Sequence, residues 1–172
     1  IKVGQFMSSR LDVLPPEITA ELEGLQDEVP PVDFAQIRAR AEAELGMPLE
    51  RVFGSVEETP LAAASLGQAH RATLAPADAE DVGFDAVVIK VQRPGIAETV
   101  DADIWWMRRG AVVLERLFEG ARLANLSGVI ADFDRTIHEE LDFRREADNQ
   151  REFNALMAQH GITDVRAPVP VE

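Results

Sequence analysis

The chain has 172 residues, 46% hydrophobic and 28% charged, which suits a soluble globular protein with one sizeable core in one or two closely joined lobes. Its net charge of −14 argues against nucleic acid as a partner, and against simple electrostatic attachment to an anionic membrane unless a local arginine patch provides it. With no cysteine there are no disulfides, thiolate metal sites or cysteine nucleophiles, a reducing compartment fits, and no apolar run is long enough to span a bilayer.

The elements follow in chain order. Ile1 to Leu14 is amphipathic and reads as the end of a helix, stopped by Pro15-Pro16. Pro16 suits the first turn of a second helix, Glu17 to about Gln26, which ends before Pro30-Pro31. A third helix starts at Asp33 as N-cap, with Gln36 three residues on as a capping box, and closes at Gly46 ahead of Pro48. From Leu49 the texture changes to short strands: Arg51 to Val56, Gln68 to Leu74 and Ala86 to Val91. The acidic stretch Ala75 to Gly83 between the last two is expected to be an exposed hairpin connection.

After Pro94-Gly95 a long helix is indicated. Val100, Ile104, Met107, Ala111, Leu114 and Phe118 recur at steps of four and three, a stripe expected to be core, with Trp105 and Trp106 broadening it. A break at Gly120 to Gly128 precedes a further helical region with Ile130, Phe133, Ile137 and Leu141 on one face, continuing past Leu156 to near Gly161. Val165 to Val171 reads as an edge strand, because Pro168 and Pro170 forbid a central place. The chain starts with Ile and stops inside this strand-like run, so a piece of a longer protein is expected.

Two stretches carry candidate chemistry. Ala86-Val87-Val88-Ile89-Lys90-Val91 reads as a short buried strand ending in a lysine, an ammonium costly to bury without a partner. The chain has fifteen arginines and two lysines, Lys2 and Lys90, so a compact point charge is expected to matter at both places. The competing reading of Lys90 is a strand-end side chain reaching water. Upstream, Ala62-Ala63-Ala64-Ser65-Leu66-Gly67 stands where a phosphate-cradling loop would carry glycines, and each extra methyl narrows backbone freedom. Loop, hairpin and strand lysine together form the layout of a nucleotide-binding lobe. Ser65 suits either a phosphate hydrogen bond or a turn cap.

Such a lysine needs a carboxylate partner from a helix. In an unbroken helix Glu139, Asp142 and Glu146 share one face, and the plain reading is a solvated acidic surface. Glu140 and Asp142, two apart, can act jointly only if the helix is irregular there. His70, His138 and His160 are too scattered for a metal site and are expected to be ordinary surface or strand-end residues.

As a set, Lys2-Val3-Gly4-Gln5, Ala62 to His70, Val88 to Gly95, and Glu140-Leu141-Asp142 with Arg145-Glu146-Ala147 resemble the UbiB family of atypical, protein-kinase-like proteins. The resemblance covers essentially the whole chain, in order. It implies an α+β fold: a kinase-like N-lobe (small antiparallel sheet and C-helix equivalent) with added helices, and no kinase C-lobe in this chain. Residues 1–48 would be the helical extension carrying the K-x-G-Q motif, and 49–172 the N-lobe with inserted helices. By position, Lys90 matches the family's nucleotide-phosphate lysine and Glu146 its salt-bridge partner, the catalytic pair. Ala62, Ala63, Ala64, Ser65 and Gly67 match the loop over the nucleotide. Lys2 and Gln5 match a covering helix, and Glu140 and Asp142 the acidic motif engaging it, an autoinhibitory latch.

The implied cofactors are ATP and Mg²⁺, with the metal ligands expected in the C-lobe. The implied partners are ATP or ADP, with quinone-pathway proteins or lipid as further candidates. The family's setting in quinone biosynthesis and lipid homeostasis implies a cytoplasmic protein, peripheral to or tethered at a membrane through other regions. No His-x-Asp followed five residues later by Asn occurs, and no Asp-Phe-Gly, so these residues alone are expected to be inactive. The alternative is a non-catalytic, pseudokinase-like scaffold that grips a lipid, a quinone or a partner protein.

Overall fold

A computed structural model describes residues 29–171 and has an α+β architecture. The first two predicted helices, with Lys2 and Gln5, lie outside the described residues. The chain divides into two compact units, one running through Phe133 and one beginning at Asp134.

The first unit is built on a four-stranded antiparallel sheet: β1 (Phe53–Val56), β2 (Ala62–Ala63), β3 (Gly67–Leu74) and β4 (Ala86–Gln92). β4 pairs along β3 from Gly67↔Gln92 to Thr73↔Ala86, and β1 and β2 share the opposite edge of β3. β1 slips register between Phe53 and Ser55, at Gly54, where a Cβ would lie 3.1 Å from the Leu74 carbonyl oxygen.

Side chains directly opposite in an antiparallel pair share a face. Gln68, His70, Ala72 and Leu74 of β3 therefore line one face with Val91, Ile89 and Val87 of β4, and all four of the β3 residues are buried. Ala69, Arg71 and Thr73 line the other with Lys90, Val88 and Ala86, and Val88 there is 56% exposed. β4 is thus a half-buried strand, contrary to the buried run expected from its β-branched residues.

Helix α1 (Phe34–Leu45) and the segment before it cover the buried face, with the Phe34 and His70 rings 5.3 Å apart and Ile37 in the core. Asp33 caps the helix by accepting from the Ala35 amide at 2.8 Å, one residue earlier than the capping box anticipates. Gly46, at φ +70°, ends it.

The acidic stretch between β3 and β4 is helical, correcting the expected loop. Helix α2 (Pro76–Val82) begins on a proline and ends at Gly83 with φ +81°, and it buries no side chain. Helix α3 (Ile96–Leu117) follows, then α4 (Glu119–Leu123). The expected stripe is core at Ile104 and Ala111 only, and Leu114, Phe118, Trp105 and Trp106 are exposed. Trp105 and Trp106 pack edge to face at 4.6 Å, and the Arg109 guanidinium lies 4.0 Å above Trp105. Asn125, at φ +49°, leads into α5 (Leu126–Leu141), which buries Val129, Phe133, Ile137 and Leu141.

In the second unit, α6 (Phe143–Gln159) is followed by an irregular segment instead of the expected edge strand. There the Asn154 side chain accepts from Ala167 N at 2.8 Å and donates to Ala167 O at 3.0 Å, a substitute for strand pairing beside prolines that cannot donate. Among the described residues no helix is long and apolar enough to cross a membrane.

Candidate functional site

The register of the sheet assembles the first half of the candidate site. Lys90 on β4 stands opposite Ala69 on β3, and Ala69 stands opposite Ala62 on β2. The three residues form one row across the open face, spanning roughly 10 Å between the outer strands. Lys90 is exposed there, as the competing strand-end reading has it, and not buried with the strand as expected.

The alanine-rich segment is partly strand. Ala62 and Ala63 form β2, and the turn proper runs from Ala64 through Ser65 and Leu66 to Gly67, which opens β3. Ala64 N donates to Gly67 O at 2.8 Å to close it, while Leu61 N donates to Ala69 O at 2.8 Å. Ser65 sits half-buried in the turn.

Behind this turn lies a polar network that the sequence reading missed. His70 is fully buried, not a surface or strand-end residue, and Gln68 is 1% exposed. The His70 Nδ1 lies 2.8 Å from the Glu57 carbonyl oxygen, which can only accept, so Nδ1 carries the proton. Nε2 is then an acceptor and takes the Gln68 amide NH₂ at 3.3 Å. That orients the Gln68 carbonyl toward Val32 N, which donates to it, while Gln68 Nε2 also donates to Val32 O at 3.3 Å. One proton assignment satisfies every contact. The available signal was parity, since Gln68 and His70 occupy the same alternation as Ala72 and Leu74.

Arg93 lies in the Val88 to Gly95 motif, and its side chain binds backbone. Its Nε donates to Ala64 O at 2.9 Å, its Nη2 to Pro30 O at 2.7 Å, and its backbone N–H to Leu66 O at 2.9 Å. Arg93 also borders a groove of about 440 Å³ with Gln36, Arg40, Gln92 and Glu98, whose walls do not include Lys90, Ala62, Ala63 or Ala64.

The acidic candidates lie in the second unit. The helix breaks at Asp142, so Glu139, Asp142 and Glu146 are not on one continuous helix, and the irregularity required for Glu140 and Asp142 to act jointly is present. Asp142 is the N-cap of α6, accepting from Arg144 N and Arg145 N at 3.1 Å each. Glu139 pairs with Arg145 at 2.9 Å across the break. Glu146, half-buried in the first turn of α6, accepts from Gln150 at 3.5 Å. Glu140 is exposed near the end of α5. No cluster of three or more His, Asp or Glu among the described residues could hold a metal ion.

A family model described as the ABC1 atypical kinase-like domain matches residues 24–170. The probable protein kinase UbiB of Shewanella loihica is 44% identical over 164 residues, 95% of this chain and 28% of that protein. Its namesake in Vibrio vulnificus is 40% identical over the same shares, and that of Marinobacter nauticus 41% identical over 87% of this chain and 26% of the relative. The chain thus spans between a quarter and a third of the length of these relatives. Among solved structures, Rv3197 of Mycobacterium tuberculosis, in its complex with erythromycin, matches with a TM-score of 0.62 and 31% identity over 92% of this chain and 38% of that one.

Proposed function

The chain belongs to the ABC1 atypical kinase-like family, and on that footing we propose that it is the nucleotide-facing part of a UbiB-type atypical kinase or ATPase serving quinone biosynthesis, ubiquinone in particular, or lipid homeostasis. In this reading Lys90 contacts the phosphates of ATP, Glu146 is its carboxylate partner, and Ala62, Ala63, Ala64, Ser65 and Gly67 limit how the nucleotide sits. Lys2 and Gln5, with Glu140 and Asp142, form an autoinhibitory cover. The observation that supports it is the row Lys90–Ala69–Ala62. It sets an exposed primary ammonium in line with the methyl groups of Ala69 on β3 and Ala62 on β2. A polyphosphate suits such a row, since a lysine supplies a point charge and alanines leave room beside it.

Mg²⁺, when bound, would neutralise charge on the phosphate oxygens. Its ligands are proposed to come from other parts of the full-length protein, as are the catalytic groups beyond Lys90 and Glu146 and any membrane tether. These residues alone are expected not to turn over ATP.

The test is thermal stability of the full-length protein with and without ATP. Ligand at 100-fold above Kd stabilises the native state by about 2.7 kcal/mol. Wild type should gain a shift of this order, and Lys90→Arg should lose it, because a guanidinium fork does not reproduce a point charge. Equal stabilisation of the variant would remove Lys90 from the phosphate site. A second reading, a non-catalytic scaffold for lipid, quinone or protein, draws on the exposed Trp106, Leu117 and Leu123 of α3 and α4. Wild-type protein that ATP leaves unshifted favours the scaffold.

A further inference from the structure

The connections of Arg93 join two parts of the chain that sequence separates by more than thirty residues. Its guanidinium bonds Ala64 O in the turn and Pro30 O in the segment leading back toward residue 1, at 2.9 and 2.7 Å. Its own N–H holds Leu66 O at 2.9 Å, so Arg93 is fixed to the turn at two points. It also follows β4 directly, three residues after Lys90. Two residues beyond Pro30, Val32 is held on both its N–H and its carbonyl by the buried Gln68, whose backbone lies opposite Ala63.

The acceptors of Arg93 are backbone carbonyls at two separate places, which a planar fork can hold together in fixed geometry and a single ammonium cannot. Lifting the 30–32 segment would remove one acceptor from Arg93 and leave the Gln68 amide buried without its backbone partners. The first loss falls on the guanidinium that holds Ala64 O, and the second on the residue that pairs with Ala63 and adjoins Gly67, so the segment and the turn are energetically joined.

We propose that Arg93 is a positioning residue: it fixes the alanine-rich turn when the Pro30–Val32 segment is seated on the sheet and releases it when that segment lifts. The state of the Pro30–Val32 segment is thereby passed to the turn that opens β3. Its bearing on nucleotide rests on the proposed function, whereas the mechanical coupling does not.

The experiment is hydrogen exchange on the full-length protein, read at the Val32 and Ala64 amides, the first bonded to Gln68 and the second to Gly67 O. Arg93→Lys should speed exchange at both amides by about five- to tenfold, the effect of weakening one hydrogen-bonded connection. Val32→Pro, which removes the N–H that Gln68 accepts and lies outside β2, β3 and the turn, should also speed Ala64. That response at a distance is one that separate, purely structural bonds would not give. Acceleration at only one amide or at neither in Arg93→Lys, or an unchanged Ala64 in Val32→Pro, overturns the coupling. If one variant fails to fold, the other still decides it.

ATP-dependent stabilisation measured on the same samples separates the two readings. A wild-type shift that shrinks in Arg93→Lys while its nucleotide-free melting temperature is kept supports transmission to the site. An undiminished shift overturns that transmission. A wild type that ATP does not shift defeats the nucleotide reading, and the exchange data still judge the coupling.

Discussion

An amide and an imidazole buried side by side are stable only while each polar atom has a partner, and in Gln68 and His70 all the partners come from backbone or from each other. Gln68→Leu keeps much of the volume but strands Val32 N–H and His70 Nε2, and should cost about 1–3 kcal/mol of stability. Urea unfolding of both proteins measures this, and a variant as stable as wild type would mean that solvent reaches the network. Burial of this pair was legible only in strand parity, because Gln and His are types that surfaces also favour. For Lys90 the scarcity of lysine singled out the residue, yet the burial argument attached to it was incorrect. Opposite it stand Ala69 and, one strand further, Ala62, and these leave its face open.

Helices α3 and α5 are joined by one carboxylate. Glu115 accepts from Ser127 N at 2.7 Å and Ser127 Oγ at 2.8 Å, and these two bonds, the amide first, hold it below the ordinary glutamate range. A carboxyl with a lowered folded pKa adds stability that is present above its unfolded value, about 4.3, and is lost as pH falls through the folded value. Glu115→Gln should therefore melt lower at pH 7 and lose less on acidification below about pH 4. Melting curves from pH 3 to 7 check it, and parallel acid losses in the two proteins would exclude Glu115 as a contributor. Elements with a sharp cap or a β-branched run between turn signals were readable in advance, as α1 and β4 show, although the run in β4 did not reveal that one of its faces is open. Helix α2 was not, since seven residues that bury nothing leave no period, although Pro76 and Gly83 were correct local signals. The stripe on α3 overran for the converse reason. Periodicity defines which face is apolar but not how far a covering layer extends, and beyond Ala111 the side chains at Leu114, Leu117 and Phe118 are exposed.

At the scale of the molecule, the α+β class and the family were legible because four short motifs occur in order, each uninformative alone. What sequence order could not supply was the role of every residue inside a motif, such as Arg93, whose partners are carbonyls and leave no side-chain pattern. The proposed function pairs Lys90 with Glu146. A lysine and a carboxylate that work as a pair at a nucleotide should be non-additive. Either single change removes the same interaction, so the double change adds little. In the full-length protein, Lys90→Met and Glu146→Gln should each weaken ATP binding, and the cycle should return a coupling energy within about 0.5–3 kcal/mol, the range for residues in contact. Titration calorimetry of the four proteins measures it. Additivity within about 0.3 kcal/mol would place Glu146 outside the nucleotide site. Its carboxylate would then belong to the first turn of α6, where a negative charge favours the helix N-terminus without any ligand.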